Sequence, residues 1–218
     1  SSVASLTSSG PFIERFCGFA GAGLASAPTS AQLDSDFWRV AGFSDGDTTY
    51  GGTFTSVDFV HGIGTDATTT GGMYTFTSRA SDRGVGFLAT GTDFDPGHLE
   101  LRVPNGATSA VVSVSLSYNV LYFNNQPRTG TITLLTSTDG TTFAPVAGAD
   151  VVSPAAADAL GWVSVARSIT IPISVPVGGN LFIRWAHATA ITPTGSRDKF
   201  VIDDVVITPT FAVCGNGV

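Results

Sequence analysis

The chain has 218 residues, with 10 basic against 17 acidic side chains and a formal charge of −7. That balance excludes the globally cationic surface by which nucleic-acid binders displace counterions. No run of about 18 apolar residues occurs, so no membrane-spanning helix and no membrane insertion is expected. Gly (26) and Pro (11) are spread along the whole chain, Ser and Thr are dense, and Lys199 is the one lysine. Helix formers are scarce, which is the composition of short strands joined by turns. A single all-β domain is expected: a two-sheet antiparallel β-sandwich of jelly-roll type, large enough to bury a core without staples.

In chain order, residues 1–11 are small and polar and read as a flexible or edge-pairing leader. The sandwich itself is expected over 12–210. Its first strand is Phe12 to Phe16, followed by a Gly-, Ala-, Ser- and Pro-rich loop to about Gln32. Weaker strands are expected at 37–43, 53–60, 73–77, 84–89 and 98–103.

The clearest strand is 110–123. Val112, Val114, Leu116, Tyr118, Val120 and Tyr122 alternate with Ser113, Ser115, Ser117 and Asn119, which is period two with one buried face. Its length predicts a bend or bulge near Asn119. Thr131 to Ser137 then meets Thr138-Asp139-Gly140-Thr141, where Asp-Gly tolerates positive φ and marks a hairpin. The segment Pro154 to Leu160 is the one place that suggests a helical turn. Strands at 162–171, 181–186 and 200–207 complete the set. The regular spacing of strands and turns argues against βαβ units.

The closing strand Phe200-Val201-Ile202-Asp203-Asp204-Val205-Val206-Ile207 places two carboxylates inside an apolar run. Strict alternation sends one to each face, and a buried carboxylate is costly unless paired, hydrogen-bonded or metal-bound. Ca²⁺, which takes 6–8 oxygen ligands, is one solution. Backbone N–H groups, Arg15 or Arg197 are the other.

The ending F-V-I-D-D-V-V-I resembles the final strand of extracellular jelly-roll families, among them carbohydrate-binding modules and adhesion-type domains. The resemblance implies a structural calcium held by Asp203 or Asp204, with Glu14 of the first strand completing the site. A wider resemblance runs through Leu33-Asp34-Ser35-Asp36-Phe37-Trp38, Gly42-Phe43-Ser44-Asp45-Gly46 and Thr69-Thr70-Gly71-Gly72-Met73-Tyr74. It continues through Ser137-Thr138-Asp139-Gly140-Thr141-Thr142-Phe143, Ser153-Pro154-Ala155-Ala156-Ala157-Asp158, Ile183-Arg184-Trp185 and Gly195-Ser196-Arg197-Asp198-Lys199-Phe200. Together these look like a sandwich module of large secreted bacterial proteins, covering about residues 12–208. It implies a fold and an extracellular or cell-surface compartment rather than an activity. Ala186-His187-Ala188 stands where that module carries acidic residues, so the pattern supports no metal site in that loop.

Cys17 and Cys214 lie near opposite ends. A jelly roll sets its first and last strands side by side, so a bridge between them fits the fold, with two unrelated thiols as the alternative. Closing nearly the whole chain would contribute roughly 5 kcal/mol on the loop-entropy account. The tail 211–218 ends Cys214-Gly215-Asn216-Gly217-Val218 and resembles the opening of a Cys-rich repeat whose other cysteines are absent here. That resemblance suggests a piece of a longer chain, as does the start Ser1-Ser2-Val3 without Met, which also fits removal of an export signal.

Few residues suggest a reaction. Gly42-Phe43-Ser44-Asp45-Gly46 satisfies G-x-S-x-G, but no helix can follow it to make a nucleophile elbow. Asp34 with Asp36, and Asp45 with Asp47, read as solvated turns. His61, His98 and His187 are isolated, without metal-ligand spacing. Trp38 and Trp185 read as core. Trp162, entering a strand after Gly161, is the candidate exposed platform for a sugar ring. Tyr122, Asn124, Asn125, Gln126 and Arg128 form a polar loop on an aromatic base, the kind of surface on which sandwiches bind ligands. The expected function is a secreted, non-catalytic binding or adhesion module for glycan or cell-surface material. The alternatives are a self-assembling subunit of an extracellular fibre or surface layer, pairing with other copies of itself, and a polysaccharide-active enzyme.

Overall fold

The computed structural model describes residues 5–79 and 82–213, without the side chains of 77–79 and 82. Five short strands come first: β1 (Phe12–Glu14), β2 (Leu24–Ala25), β3 (Leu33–Asp34), β4 (Trp38–Ala41) and β5 (Ile63–Gly64). Longer ones follow: β6 (Gly72–Arg79), β7 (Asp82–Leu88), β8 (Gly97–Pro104), β9 (Val111–Phe123) and β10 (Gly130–Ser137). The two-residue β11 (Ala144–Pro145) and β12 (Val151–Val152) precede β13 (Trp162–Val175), β14 (Asn180–Thr189) and β15 (Lys199–Phe211). No described helix is long and apolar enough to cross a membrane.

A seven-stranded sheet runs β13-β9-β15-β7-β6-β5, with β1 also on β15. A six-stranded sheet runs β11-β10-β14-β8-β4, with β12 also on β10. From β7 to β10, and again from β13 to β15, each successive strand changes sheet, which is the path of a jelly roll. The pairings are antiparallel apart from β5–β6 and the small β2–β3 pair. The first and last strands meet as expected: Phe12 faces Ile207 and Glu14 faces Val205.

The core lies between the sheets. Val114, Leu116, Tyr118 and Val120 of β9 enter it, and so do Trp38 and Trp185, stacked with ring centroids 6.2 Å apart. At the start of β9 the alternation changes phase: Val111 is buried and Val112 exposed. The cause is a slip in register against both neighbours, with Val175 and Phe211 each opposite Val111. The bulge expected near Asn119 lies at that level but on the partner strand, between Asp203 and Val206 of β15. The Asp-Gly turn joins β10 to β11, with Gly140 at φ 72° and Asp139 accepting the Thr141 and Thr142 N–H groups.

Two expected elements differ. The segment 53–60 is not a strand: Phe54 makes one bridge to Leu24, and Val57–Phe59 forms a 3₁₀ turn that buries Asp58 and Phe59. Pro154 to Leu160 contains no helical turn. There the Asp158 N–H donates to Asn124 O, and its carboxylate accepts the Leu160 N–H. Of the leader, residues 5–11 are described. Leu6 is fully buried, bridges to Asn105, and donates its N–H to Pro104 O. This stretch is therefore bound to its own chain, where the fibre alternative needs it available to a neighbour. Leu6→Ala is expected to cost about 3 kcal/mol, measured by urea unfolding. Cys17 is exposed, and Cys214 lies outside the described residues.

Candidate functional site

The outer face of the seven-stranded sheet carries more than solvent-facing polar groups. Register sets one row across it: Trp162 faces Phe123, Phe123 faces Lys199, and Lys199 faces Leu88. The next row sets Leu121 beside Val201 and Val201 beside Gly86. Tyr74, Phe76, Leu88, Leu121 and Val201 form a second buried cluster there, with Trp162 packed against it. Gly64 and Gly86 make room for the Phe76 ring, since a Cβ at either position would come within 2.3 Å of it.

The loop 64–70 lies over this cluster and is held from two directions. Trp162 Nε1 donates to Asp66 Oδ1 at 2.9 Å, and Lys199 Nζ donates to Asp66 O at 2.9 Å. Between this loop and the facing segments 125–126 and 195–197 lies a groove of about 490 Å³, within the usual size of ligand pockets. Leu88, Ala89, Thr90 and Lys199 complete its lining. A second hollow of about 360 Å³ shares Asp66 and Ala67 with it and reaches Phe76 and Trp162.

The groove's charges are set by burial. Lys199 is 2% exposed, and desolvation lowers its pKa while Asp66 and Asp198 partly restore it. Its ammonium also sits 4.9 Å from the Phe123 ring centroid. Asp198 is 1% exposed, and burial pushes its carboxyl up to about 6. The Ser153 hydroxyl (2.5 Å) and the Gln126 N–H (3.3 Å) donate to it and oppose that shift, while Asp158 adds to it. Arg197 Nε donates to Asp95 Oδ2 at 2.5 Å, so that guanidinium is already paired.

Three of the six residues expected to bind ligand come together. Asn125 and Gln126 line the groove, and Trp162 lines the adjoining hollow. The other three are structural. Tyr122 is in phase with the core side of β9 and packs on Phe200. Asn124 is buried, its Nδ2 donating to Ala156 O and Asp158 Oδ2. Arg128 donates to Ala190 O and lies 4.0 Å from Asp95. Sequence reasoning missed Asp66, Thr68, Thr69, Thr90, Arg197 and Lys199. The one available signal was the sole lysine of the chain opening an apolar strand.

The three carboxylates expected to hold calcium are arranged otherwise. Asp204 has φ 52° in the β15 bulge, which breaks strict alternation and returns its carboxylate to Asn119, the cross-strand neighbour of Asp203. Asp203 is buried, and its Oδ1 accepts the Asp204 N–H. Glu14 Oε1 accepts the N–H of Phe16, itself at φ 49°. Among the described residues no three His, Cys, Asp or Glu side chains gather to hold a metal. The described hydrogen bonds of these three carboxylates run to backbone N–H groups and to Asn119.

Nor does the G-x-S-x-G segment form a nucleophile site. Ser44 Oγ donates to Asp58 Oδ2 at 2.9 Å, and the Ser44 N–H donates to Asp93. On the outer face of the six-stranded sheet, Glu100 is buried between Arg39 and Arg184. His98 beside it is lowered to about 4 by burial and by Arg184, and so is neutral at physiological pH.

Fold and groove together define a two-sheet β-sandwich module with a polar, loop-walled groove on one outer face. No family model matches the chain, and no curated protein matches it significantly. Among solved structures it is similar to the K2 cleaved adhesin domain of Lys-gingipain, at TM-score 0.42 and 15% identity over 91% of this chain and 97% of that one. It is also similar to the N-terminal cellulose-binding domain of Cellulomonas fimi β-1,4-glucanase C, at TM-score 0.40 and 12% identity over 81% and 90%. A third is the CBM22-1 xylan-binding domain of Paenibacillus barcinonensis Xyn10C, at TM-score 0.37 and 12% identity over 67% and 86%. At these scores the ligand must be read from this chain's own groove.

Proposed function

We propose that the protein is a secreted, non-catalytic binding module that holds a glycan or cell-surface polymer in the groove between loop 64–70 and segments 125–126 and 195–197. The observation that carries this reading is the composition of the groove. Leu88 and Ala89 give it an apolar part, the adjoining hollow adds the rings of Phe76 and Trp162, and its walls present hydroxyl and amide groups, among them Thr68, Thr69, Asn125 and Gln126. A sugar offers both surfaces at once, apolar C–H faces and a rim of hydroxyls. One carboxylate, Asp66, lines the groove, and it already accepts from Trp162. Glycoside hydrolysis ordinarily needs two.

Calorimetry against a panel of plant and bacterial polysaccharides tests this. Thr69→Ala with Gln126→Ala should weaken binding about tenfold, since two hydrogen bonds of ordinary strength are lost. Clean failure of the wild type across the panel would sink the reading. Trp162→Phe removes the Nε1 donor and should release loop 64–70, read as faster limited proteolysis within that loop. Unchanged cleavage would show that the Trp162–Asp66 bond does not hold it.

A further inference from the structure

The two sheets end at four outermost strands, and three of these are short: β5 and β11 have two residues each and β4 has four. The fourth, β13, has 14 residues and pairs only with β9. We infer that the free edge of β13 is a self-association surface, on which a second copy of the chain docks its own β13. The two strands run antiparallel about a two-fold axis, so that one sheet continues through both copies.

In an outermost strand every second residue turns its N–H and C=O away from the sheet, ready for another strand. Outside its ladder with β9, the backbone of 162–174 makes one hydrogen bond among the described residues, a long one of 3.4 Å from Arg167 Nη1 to Ala166 O. Proteins blunt such edges with charges, prolines or bulges. Here the register against β9 runs unbroken from Trp162 to Pro172, and the slip comes only after it. The strand's one charged side chain, Arg167, reaches across the sandwich to Ala149 O and Asp150 O.

What the edge displays suits a second copy of itself. Its outer side chains Ser164, Ala166, Ser168, Thr170 and Pro172 are exposed, small and uncharged, whereas the whole chain carries −7. Two such chains repel in general, and along this strand they meet without setting carboxylate against carboxylate. On the inner side Val163, Val165, Ile169 and Ile173 pack on the core yet are only half-buried, and a matching strand would cover them. A two-fold at Ser168 gives nearly the full overlap of the strand and keeps Arg167 off its own copy, where like charges would repel. Ser168 then faces Ser168 of the second copy, Ala166 faces Thr170, Val165 faces Ile171 and Arg167 faces Ile169. Small side chains meet outside and, Arg167 apart, aliphatic ones inside. Pairing over about ten residues spans roughly 35 Å and covers on the order of 800 Å² in total, the weak end of specific interfaces. The dimer is therefore reversible, with a dissociation constant on the order of tens of micromolar.

Sedimentation equilibrium from about 1 to 300 μM tests this and should show a monomer–dimer equilibrium. Ser168→Lys sets two ammonium groups face to face and should weaken the dimer at least about tenfold. Ser168→Thr, still small and neutral, should keep it. Ile63→Lys adds the same charge at an exposed position on the far edge of the same sheet and should also keep it. With Cys17 and Cys214 replaced by Ser, copper–phenanthroline oxidation should cross-link Ser168→Cys into a covalent dimer. Ser164→Cys, offset from its own copy by about 27 Å, should not cross-link. A wild type that stays monomeric throughout, a dimer that Ser168→Lys leaves intact, or cross-linking at 164 as fast as at 168 overturns the inference.

Discussion

Glu100→Gln is expected to lower the unfolding free energy by about 3 kcal/mol at pH 7, at the low end of what breaking a buried ion pair costs. The carboxylate is 1% exposed, and each of its oxygens is engaged. Arg184 donates from Nε and Nη2 to Oε2 at 2.8 and 2.5 Å, and Arg39 approaches Oε1 at 3.2 Å. Tyr50 Oη donates to Oε1 at 2.8 Å. Register explains the gathering, since Arg39, Glu100 and Arg184 are direct cross-strand neighbours on β4, β8 and β14. An amide keeps the shape but turns N–H donors toward a site of donors and leaves two guanidinium groups without their anion. Those groups keep 28% and 20% side-chain exposure, so water recovers part of the loss. The melting temperature should fall by roughly 6–12 °C for a domain of this size. Tyr50→Phe, which removes one hydrogen bond, should cost only about 1 kcal/mol. A loss below that for Glu100→Gln would mean that the network is decorative.

Asp198→Asn should act in the opposite direction at neutral pH. The folded pKa of Asp198 is raised from 3.8 to about 6 by burial. A group so raised contributes stability that is fully present below its unfolded pKa and is lost as pH rises through the folded one. The wild type therefore gives up as much as about 3 kcal/mol from this carboxyl between pH 4 and pH 7. The amide has no such loss. Its oxygen can accept the Gln126 N–H and its NH₂ can donate to Ser153 Oγ, whose proton then turns toward Gly130 O. The variant should be more stable than wild type at pH 7.5, and its stability should vary less between pH 4 and 7. Urea unfolding across that range measures both. A variant less stable than wild type at pH 7.5 would show that the ionised carboxylate is needed where it stands.

The alternation in β9 was legible because that strand sits between β13 and β15 with one face on the core, so period two survives along most of its length. It failed at Val112, where a register slip that depends on neighbouring strands changes the phase. Strict alternation breaks at Asp203-Asp204 for the same reason, a bulge in β15, although Asp203 is buried as one of the pair was expected to be. The loop Asn124 to Arg128 was recognised as polar, but not which of its side chains turn inward. Asn124 folds back on the segment 156–158, a contact with no local signature. The groove itself depends on bonds across great sequence distance. Asp66 meets Trp162 and Lys199, 96 and 133 residues away, and only the assembled sheet brings them together.

Ligand binding in the groove beside Lys199 is tested most directly by an amide-resolved NMR titration with the best-binding hexasaccharide. Shifts should concentrate at Thr68, Thr69, Thr90, Asn125, Gln126 and Ser196, and leave the outer face of the six-stranded sheet around Glu100 and Arg184 unmoved. Shifts centred on that opposite face, with the groove silent, would contradict the account.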